Sequence, residues 1–248
     1  MSNTIDYSHM DNSTYKENVY TPSEDTFFFV DILKEDIPRI LALEPLFVLE
    51  VGSGSGYIST YLLKLFESHL SNGSNVPLAL ESEIVRTDHS EAIQHLPFLV
   101  AVDINNRANE STMDMFKLNS VSSYSDVVCI DLLGESTVNR FFDLVLFNPP
   151  YVPCEYGLSG SQNLIDCAWN GGINGAEVIV SFIESVGSYL SENGVVYLLV
   201  EKRNKIDTII RIVEDNGFKA NLIGTRKIIG ETLSMIRFSR SDEYNANT

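Results

Sequence analysis

The sequence is short of positive charge. Across 248 residues, 17 Lys and Arg face 34 Asp and Glu, a formal net charge of −17. Neutralising phosphates needs clustered cations, so this balance argues against tight, sequence-independent nucleic-acid binding. It argues equally against docking on an anionic membrane surface, while an acidic surface suits a basic protein partner. Cysteine is scarce: Cys129, Cys154 and Cys167 are odd in number and form no CxxC pair. The four histidines, His9, His69, His89 and His95, show no ligand spacing. A disulfide framework and a structural zinc site are both disfavoured, and no metal is expected. No apolar run approaches the ~18 residues of a membrane span. The first residues, MSNTIDYSHMDNSTYKEN, lack the apolar centre of a secretory signal. What remains is an intracellular, reduced protein, and its 44% apolar residues suffice for one substantial core.

Residues 1–18 are polar and read as a mobile arm. After TPSEDT, the run FFFVDIL reads as a helix with Thr21 or Ser23 near its N-cap. Residues 46–51, LFVLEV, form a nearly continuous apolar run, the mark of a strand buried on both faces. The run enters GSGSG and then a helix with Ile58, Tyr61, Leu62 and Leu65 on one face. Further strands are expected at 98–104, 125–131, 142–147 and 194–201, with helices from about 106, over 179–190 and from 206 to Asn216-Gly217. Two last strands, 218–227 and 232–239, are too close in sequence for a crossover helix and so pair antiparallel. Alternating strands and helices give a mostly parallel sheet covered on both faces. Residues 71–97 hold no sustained period and read as an insertion, residues 153–174 as a long functional loop, and residues 241–248 as a disordered tail. The domain spans 19–240.

Four groups of residues carry chemistry. Gly52, Gly54 and Gly56 lie between a strand and a helix, where glycine lets the backbone approach a ligand and exposes N–H groups. A tight connection without a ligand is the alternative. The preceding acid, Glu50, would repel a pyrophosphate but suits the cationic groups of S-adenosylmethionine, and the GxGxxG spacing of dehydrogenases is missing. Asp103, followed by Ile104, ends the second strand, where a carboxylate can accept from both ribose hydroxyls. Asp103 or Asn105 could equally cap the next helix, and Asp88 is a competing acid. Asp131 ends the third strand and can accept the adenine amino group. Asn148-Pro149-Pro150-Tyr151 ends the fourth strand, and two prolines force an exposed turn there. The Asn148 oxygen and the Pro149 carbonyl can together accept both hydrogens of a planar NH2 group, with Tyr151 packed on it. A rigid turn without chemistry is the alternative.

As a set, EVGSGSG, the strand-end acids and NPPY resemble class I S-adenosylmethionine-dependent methyltransferases of planar amino groups. The sequence YTPSEDT (Tyr20–Thr26), Leu49–Gly56, Asp103-Ile104-Asn105, Asp131-Leu132, Phe147–Val152, the Ala168–Gly175 stretch AWNGGING and Leu233–Phe238 resemble the eukaryotic and archaeal HemK-type glutamine methyltransferases. The resemblance covers about residues 19–240. It implies a Rossmann-like, seven-stranded, mostly parallel sheet with an antiparallel last strand. It implies N5-methylation of the glutamine in the GGQ loop of the class I translation release factor. Carried over, it puts Tyr20, Thr26, Glu50, Gly52, Gly54, Asp103, Ile104, Asp131, Leu132 and Asn148 around S-adenosyl-L-methionine. Asn148, Pro149 and Tyr151 would carry the chemistry, and location would be cytoplasmic or cytoplasmic and nuclear. Glu50 and Asp103 stand 53 positions apart, further than in the family, which locates the insertion. Rival readings are an adenine-N6 or guanine-N2 nucleic-acid enzyme, which shares NPPY, a lysine methyltransferase, and an inactive scaffold.

The amide nitrogen of glutamine is a weak nucleophile because its lone pair is delocalised. Orientation therefore counts for more than a general base, and none is expected. The resemblance also places the third strand at a sheet edge. Its core, Val127-Val128-Cys129-Ile130, lacks the charge or proline that normally guards an edge. Either a helix or the insertion covers it, or another chain adds a strand. The resemblance implies the second: a small zinc-binding activator subunit pairing along Ser125–Ile130.

Overall fold

The computed structural model describes residues 4–71, 95–134, 140–155, 157–158 and 165–241. Its centre is one seven-stranded sheet. β1 (Phe47–Val51), β2 (Phe98–Asp103), β3 (Ser125–Cys129), β4 (Phe142–Phe147) and β5 (Leu190–Glu201) are parallel. β6 (Lys219–Ile228) and β7 (Glu231–Ser239) follow, and the order across the sheet is β3-β2-β1-β4-β5-β7-β6. β7 runs antiparallel to both of its neighbours. The Rossmann-like sheet expected from the alternating pattern is therefore present. β5 begins four residues earlier than its apolar run, because Leu190 pairs with Phe142 across a register shift.

The central strands are buried on both faces because helices cover each side, which is why they read as continuous apolar runs. α4 (Tyr57–Ser71) buries Ile58, Leu62, Leu63, Leu65 and Phe66. α6 (Glu177–Val186) buries Ile179, Phe182, Ile183 and Val186, and α7 (Ile206–Asp215) buries Ile209 and Val213. α5 (Asn106–Leu118) is more polar and is positioned by small side chains. Ser53 Oγ and Thr112 Oγ1 lie 3.0 Å apart, and a Cβ on Gly56 would stand 2.9 Å from the Thr112 Cα. Only glycine allows α5 to press this closely on the turn after β1.

α2 (Glu24–Glu35) starts at a reciprocal capping box: Ser23 receives an N–H from the first turn, and Thr26 Oγ1 accepts the Ser23 N–H. Ser23, not Thr21, is thus the N-cap. A second short helix, α3 (Ile37–Ala42), follows at once. Asp36 between them accepts Tyr197 Oη at 2.6 Å and the buried guanidinium of Arg237. The Arg237 of the late Leu233–Phe238 stretch is thereby a structural residue.

The N-terminal segment corrects the reading of a mobile arm. A 3-10 turn at Ser8–Asp11 and a helix, α1 (Ser13–Asn18), pack on α5. Met10, Tyr15 and Val19 form a small cluster with Ala108, and Tyr15 Oη donates to Asp114 at 2.7 Å. Most of the 71–97 insertion, Asp88 included, and nearly all of the 241–248 tail lie outside the described residues. The two outer strands differ in character. β6 carries Lys219, Arg226 and Lys227, whereas β3 exposes Val128 and Cys129 beside a single acid, Asp126.

Candidate active site

The strand order reverses between β1 and β4, since the chain first builds outward to β2 and β3 and then returns. Open α/β sheets bind ligands at such a switch point, beyond the carboxyl ends of the strands. A cavity of about 450 Å³ lies there. Every residue expected from the sequence to meet cofactor or substrate lines it: Tyr20, Thr26, Glu50, Gly52, Gly54, Asp103, Ile104, Asp131, Leu132, Asn148, Pro149 and Tyr151. Among the described residues that line it there is no Lys, Arg or His, while five carboxylates do: Asp25, Glu50, Asp103, Asp131 and Glu231. The lining therefore favours a cation over a phosphate.

Gly52, Gly54 and Gly56 all have positive φ, and a Cβ on Gly54 would meet nothing within 4 Å among the described residues. The turn thus offers bare backbone to the cavity. Asp103 does not cap α5. Asn105 does, accepting the Arg107 N–H at 3.0 Å. Asp103 Oδ1 takes the Asn105 N–H at 2.8 Å, and Oδ2 takes the Gly54 N–H at 2.9 Å, which ties the end of β2 to the glycine turn. Burial pushes its carboxyl above the usual carboxylate range.

Glu50 is fully enclosed, with Ser59 as its partner through both Oγ and N–H. Burial pushes its pKa up to about 8, against the lowering effect of the Ser59 bonds. Leu132 holds φ +48°, a left-handed conformation rare for a large side chain, directly after Asp131.

Asn148 follows β4. Its Nδ2 donates to Asp25 Oδ2 at 2.9 Å, and its Oδ1 is buried without a partner among the described residues. A buried acceptor without a donor is costly, and a ligand with N–H groups would satisfy it. Tyr151 is buried and donates its hydroxyl to Glu231 at 3.2 Å; burial above all, and then Asp25 and Glu231, keep it protonated. Glu231 is held in turn by Arg203 at 2.9 Å.

The Ala168–Gly175 loop clamps the NPPY turn. Val152 donates to the Trp169 carbonyl at 2.9 Å and Gly171 to the Val152 carbonyl at 3.0 Å. Asn204, buried at the end of β5, donates to the carbonyls of Tyr151, Asn174 and Gly175. A Cβ at Gly175 would stand 2.0 Å from the Tyr151 carbonyl oxygen, so only glycine fits. Asp25, Asn204 and Glu231 were not among the site residues expected from sequence. Asp25 alone had a signal, as the acid inside TPSEDT.

A glycine turn after β1, acids ending β1 and β2, and an NPPY turn after β4, all on one cation-seeking cavity, define a class I S-adenosylmethionine-dependent methyltransferase. No protein-family model matches the chain. Individual proteins do. The human methyltransferase HEMK2 is 31% identical over 240 residues, 95% of each chain. The eRF1 methyltransferase catalytic subunit mtq2 of Schizosaccharomyces pombe is 30% identical over 234 residues, 90% of each chain. Among solved structures, Mtq2 in its E. cuniculi complex with Trm112, described as responsible for methylating the eRF1 translation termination factor, superposes with a TM-score of 0.57. It is 26% identical, covering 90% of this chain and 99% of that one. The chain belongs to the HEMK2/Mtq2 family of methyltransferases.

Proposed function

We propose that this chain is the catalytic subunit that methylates the N5 amide nitrogen of the glutamine in the GGQ loop of the class I release factor. The observation that carries the proposal is the Asn148 Oδ1 at the end of β4, buried without a partner among the described residues, on a side chain that lines a cavity with no Lys, Arg or His among those residues. The eRF1 activity stated for the S. pombe and E. cuniculi relatives supports the substrate. The acidic lining and the net charge of −17 favour a protein over a nucleic acid.

S-Adenosylmethionine, when bound, supplies an electrophilic methyl group. Gly52 and Gly54 would bring backbone against it, Asp103 and Ile104 would hold the ribose, Asp131 and Leu132 the adenine, and Glu50 the charged amino-acid end. Tyr20 and Thr26 would close the cavity from the α2 side. Asn148 Oδ1 and the Pro149 carbonyl would accept the two amide hydrogens, which turns the nitrogen lone pair toward the methyl. Tyr151, fixed by Glu231, would pack on the planar amide. Positioning and stabilisation of the charge developing on nitrogen would then account for the rate: the N–C bond would form as the cofactor's S–C bond breaks, and the surplus amide proton would leave to solvent after transfer, without a dedicated general base.

The exposed β3 edge supports pairing along Ser125–Ile130 by a small zinc-binding activator subunit, in line with the Trm112 chain of the E. cuniculi complex. The test is mass spectrometry of purified release factor after incubation with the co-expressed pair and methyl-labelled cofactor. One methyl group on the GGQ glutamine is expected. An unmodified glutamine, or a methyl group only elsewhere, refutes the proposal. Asn148→Ala should bind cofactor within several-fold of wild type yet lose about 10²–10³-fold in kcat; near-normal turnover would sink its role.

A further inference from the structure

Asp25 lies in the first turn of α2, where the Ser23 capping box places it at the cavity wall, and it is 4% exposed. Its carboxylate receives two bonds. Tyr20 Oη donates to Oδ1 at 3.1 Å, and Asn148 Nδ2 donates to Oδ2 at 2.9 Å. No cationic side chain lines the cavity among the described residues, so Asp25 is not simply half of an ion pair there.

The two ends of an asparagine amide have nearly the same shape and opposite hydrogen-bonding character, so their neighbours decide which end faces where. A carboxylate can only accept. Beside Asp25, Asn148 must turn its NH2 inward and its Oδ1 away, and that oxygen is the buried atom without a partner. Turning the amide over would set oxygen against oxygen at Asp25 and aim N–H groups at the ligand. We infer that Asp25 is a positioning residue: through Asn148 it fixes an acceptor at the reacting end of the cavity. The site thereby presents an acceptor to a nitrogen that carries hydrogens. The inference deepens the proposed function and rests on its assignment of Asn148 to the substrate amide.

The test uses the full chain with its activator and the release factor, in Asp25→Ala, Asn148→Ala and the double variant. Asp25→Ala should lower kcat about 10²-fold, the scale of one lost catalytic hydrogen bond, with cofactor Kd within about threefold of wild type. Because Asp25 acts through Asn148, the double variant should be no slower than Asn148→Ala. A second reading needs no substrate. The Asn148 side-chain amide signal in a ¹⁵N spectrum, identified by its loss in Asn148→Ala, should move when Asp25 is replaced. Asp25→Leu, which keeps the branched side-chain skeleton without its polarity, carries both measurements if the alanine variant does not fold. Multiplied losses in the double variant, or an unmoved Asn148 signal, overturn the inference. An unmodified release factor with the wild-type pair overturns the substrate instead, and the amide signal still decides the role of Asp25.

Discussion

Replacing Glu50 by glutamine isolates the energetic cost of placing a carboxylate under the glycine turn. The side chain is fully enclosed, and its pKa stands at about 8 where the ordinary value is 4.5. At about 1.4 kcal/mol per pH unit, that rise disfavours the charged form by at most about 5 kcal/mol above pH 8, and by about 3 kcal/mol at pH 7. Because the folded-state pKa is raised, the proton is bound more tightly in the folded chain. The stabilisation is complete below pH 4.5 and is lost as pH rises toward 8. Asp103 titrates in the same direction, so the comparison must be between variants. Without cofactor, Glu50→Gln should match wild type near pH 4.5. At pH 7 it should be the more stable by up to about 3 kcal/mol, a Tm gain of about 6–12 °C for a chain of this size. Thermal unfolding of the two proteins from pH 4.5 to 8.5 measures this directly. Cofactor should bind Glu50→Gln more weakly, and binding to wild type near pH 7 should release a proton, visible by calorimetry in buffers of different ionisation enthalpy. A stability difference that does not change with pH would refute the reasoning.

Other perturbations probe other parts of the molecule. Gly175→Ala drives a methyl group into the Tyr151 carbonyl from a φ of +68°; turnover should collapse while cofactor binding, measured by calorimetry, survives. Asp36→Ala leaves the buried Arg237 guanidinium without its carboxylate and should destabilise by about 3–5 kcal/mol in denaturant titrations. Val128→Lys with Cys129→Glu charges two exposed positions of the β3 edge while leaving the half-buried Val127 in place. It should abolish co-purification with the activator and keep cofactor binding, and one-to-one recovery of the pair would count against edge pairing.

What was legible in the sequence followed a physical pattern. Strands enclosed by helices appear as unbroken apolar runs, and the cavity opens where those runs stop, so the places of Glu50, Asp103 and Asn148 on its wall could be read directly. The N-terminal segment could not. Ile5, Met10, Tyr15 and Val19 are single apolar residues in a polar stretch, and the last three become a cluster only when Ala108 of α5 is brought beside them. Asn204 and Glu231 were hidden for a related reason. They lie far along the chain from NPPY, and only the adjacency of β5 and β7 returns them to Tyr151. Asp25 stands within YTPSEDT, yet the motif shows no role for it, because its partner is 123 positions away.

The position of β7 also governs when the protein can be complete. Of the seven strands of the sheet it is the last made, yet it lies between β5 and β6 and hydrogen-bonds to both. Until residues 231–239 have left the ribosome, β5 ends the parallel sheet as a bare inner edge of almost wholly buried residues, and β6 has no strand to join. Between the synthesis of β5 and that of β7 the nascent chain therefore carries a second open edge besides β3, which no described strand covers. Glu231 arrives beside Tyr151 only with β7, so the Tyr151 end of the cavity is assembled after the glycine-turn end.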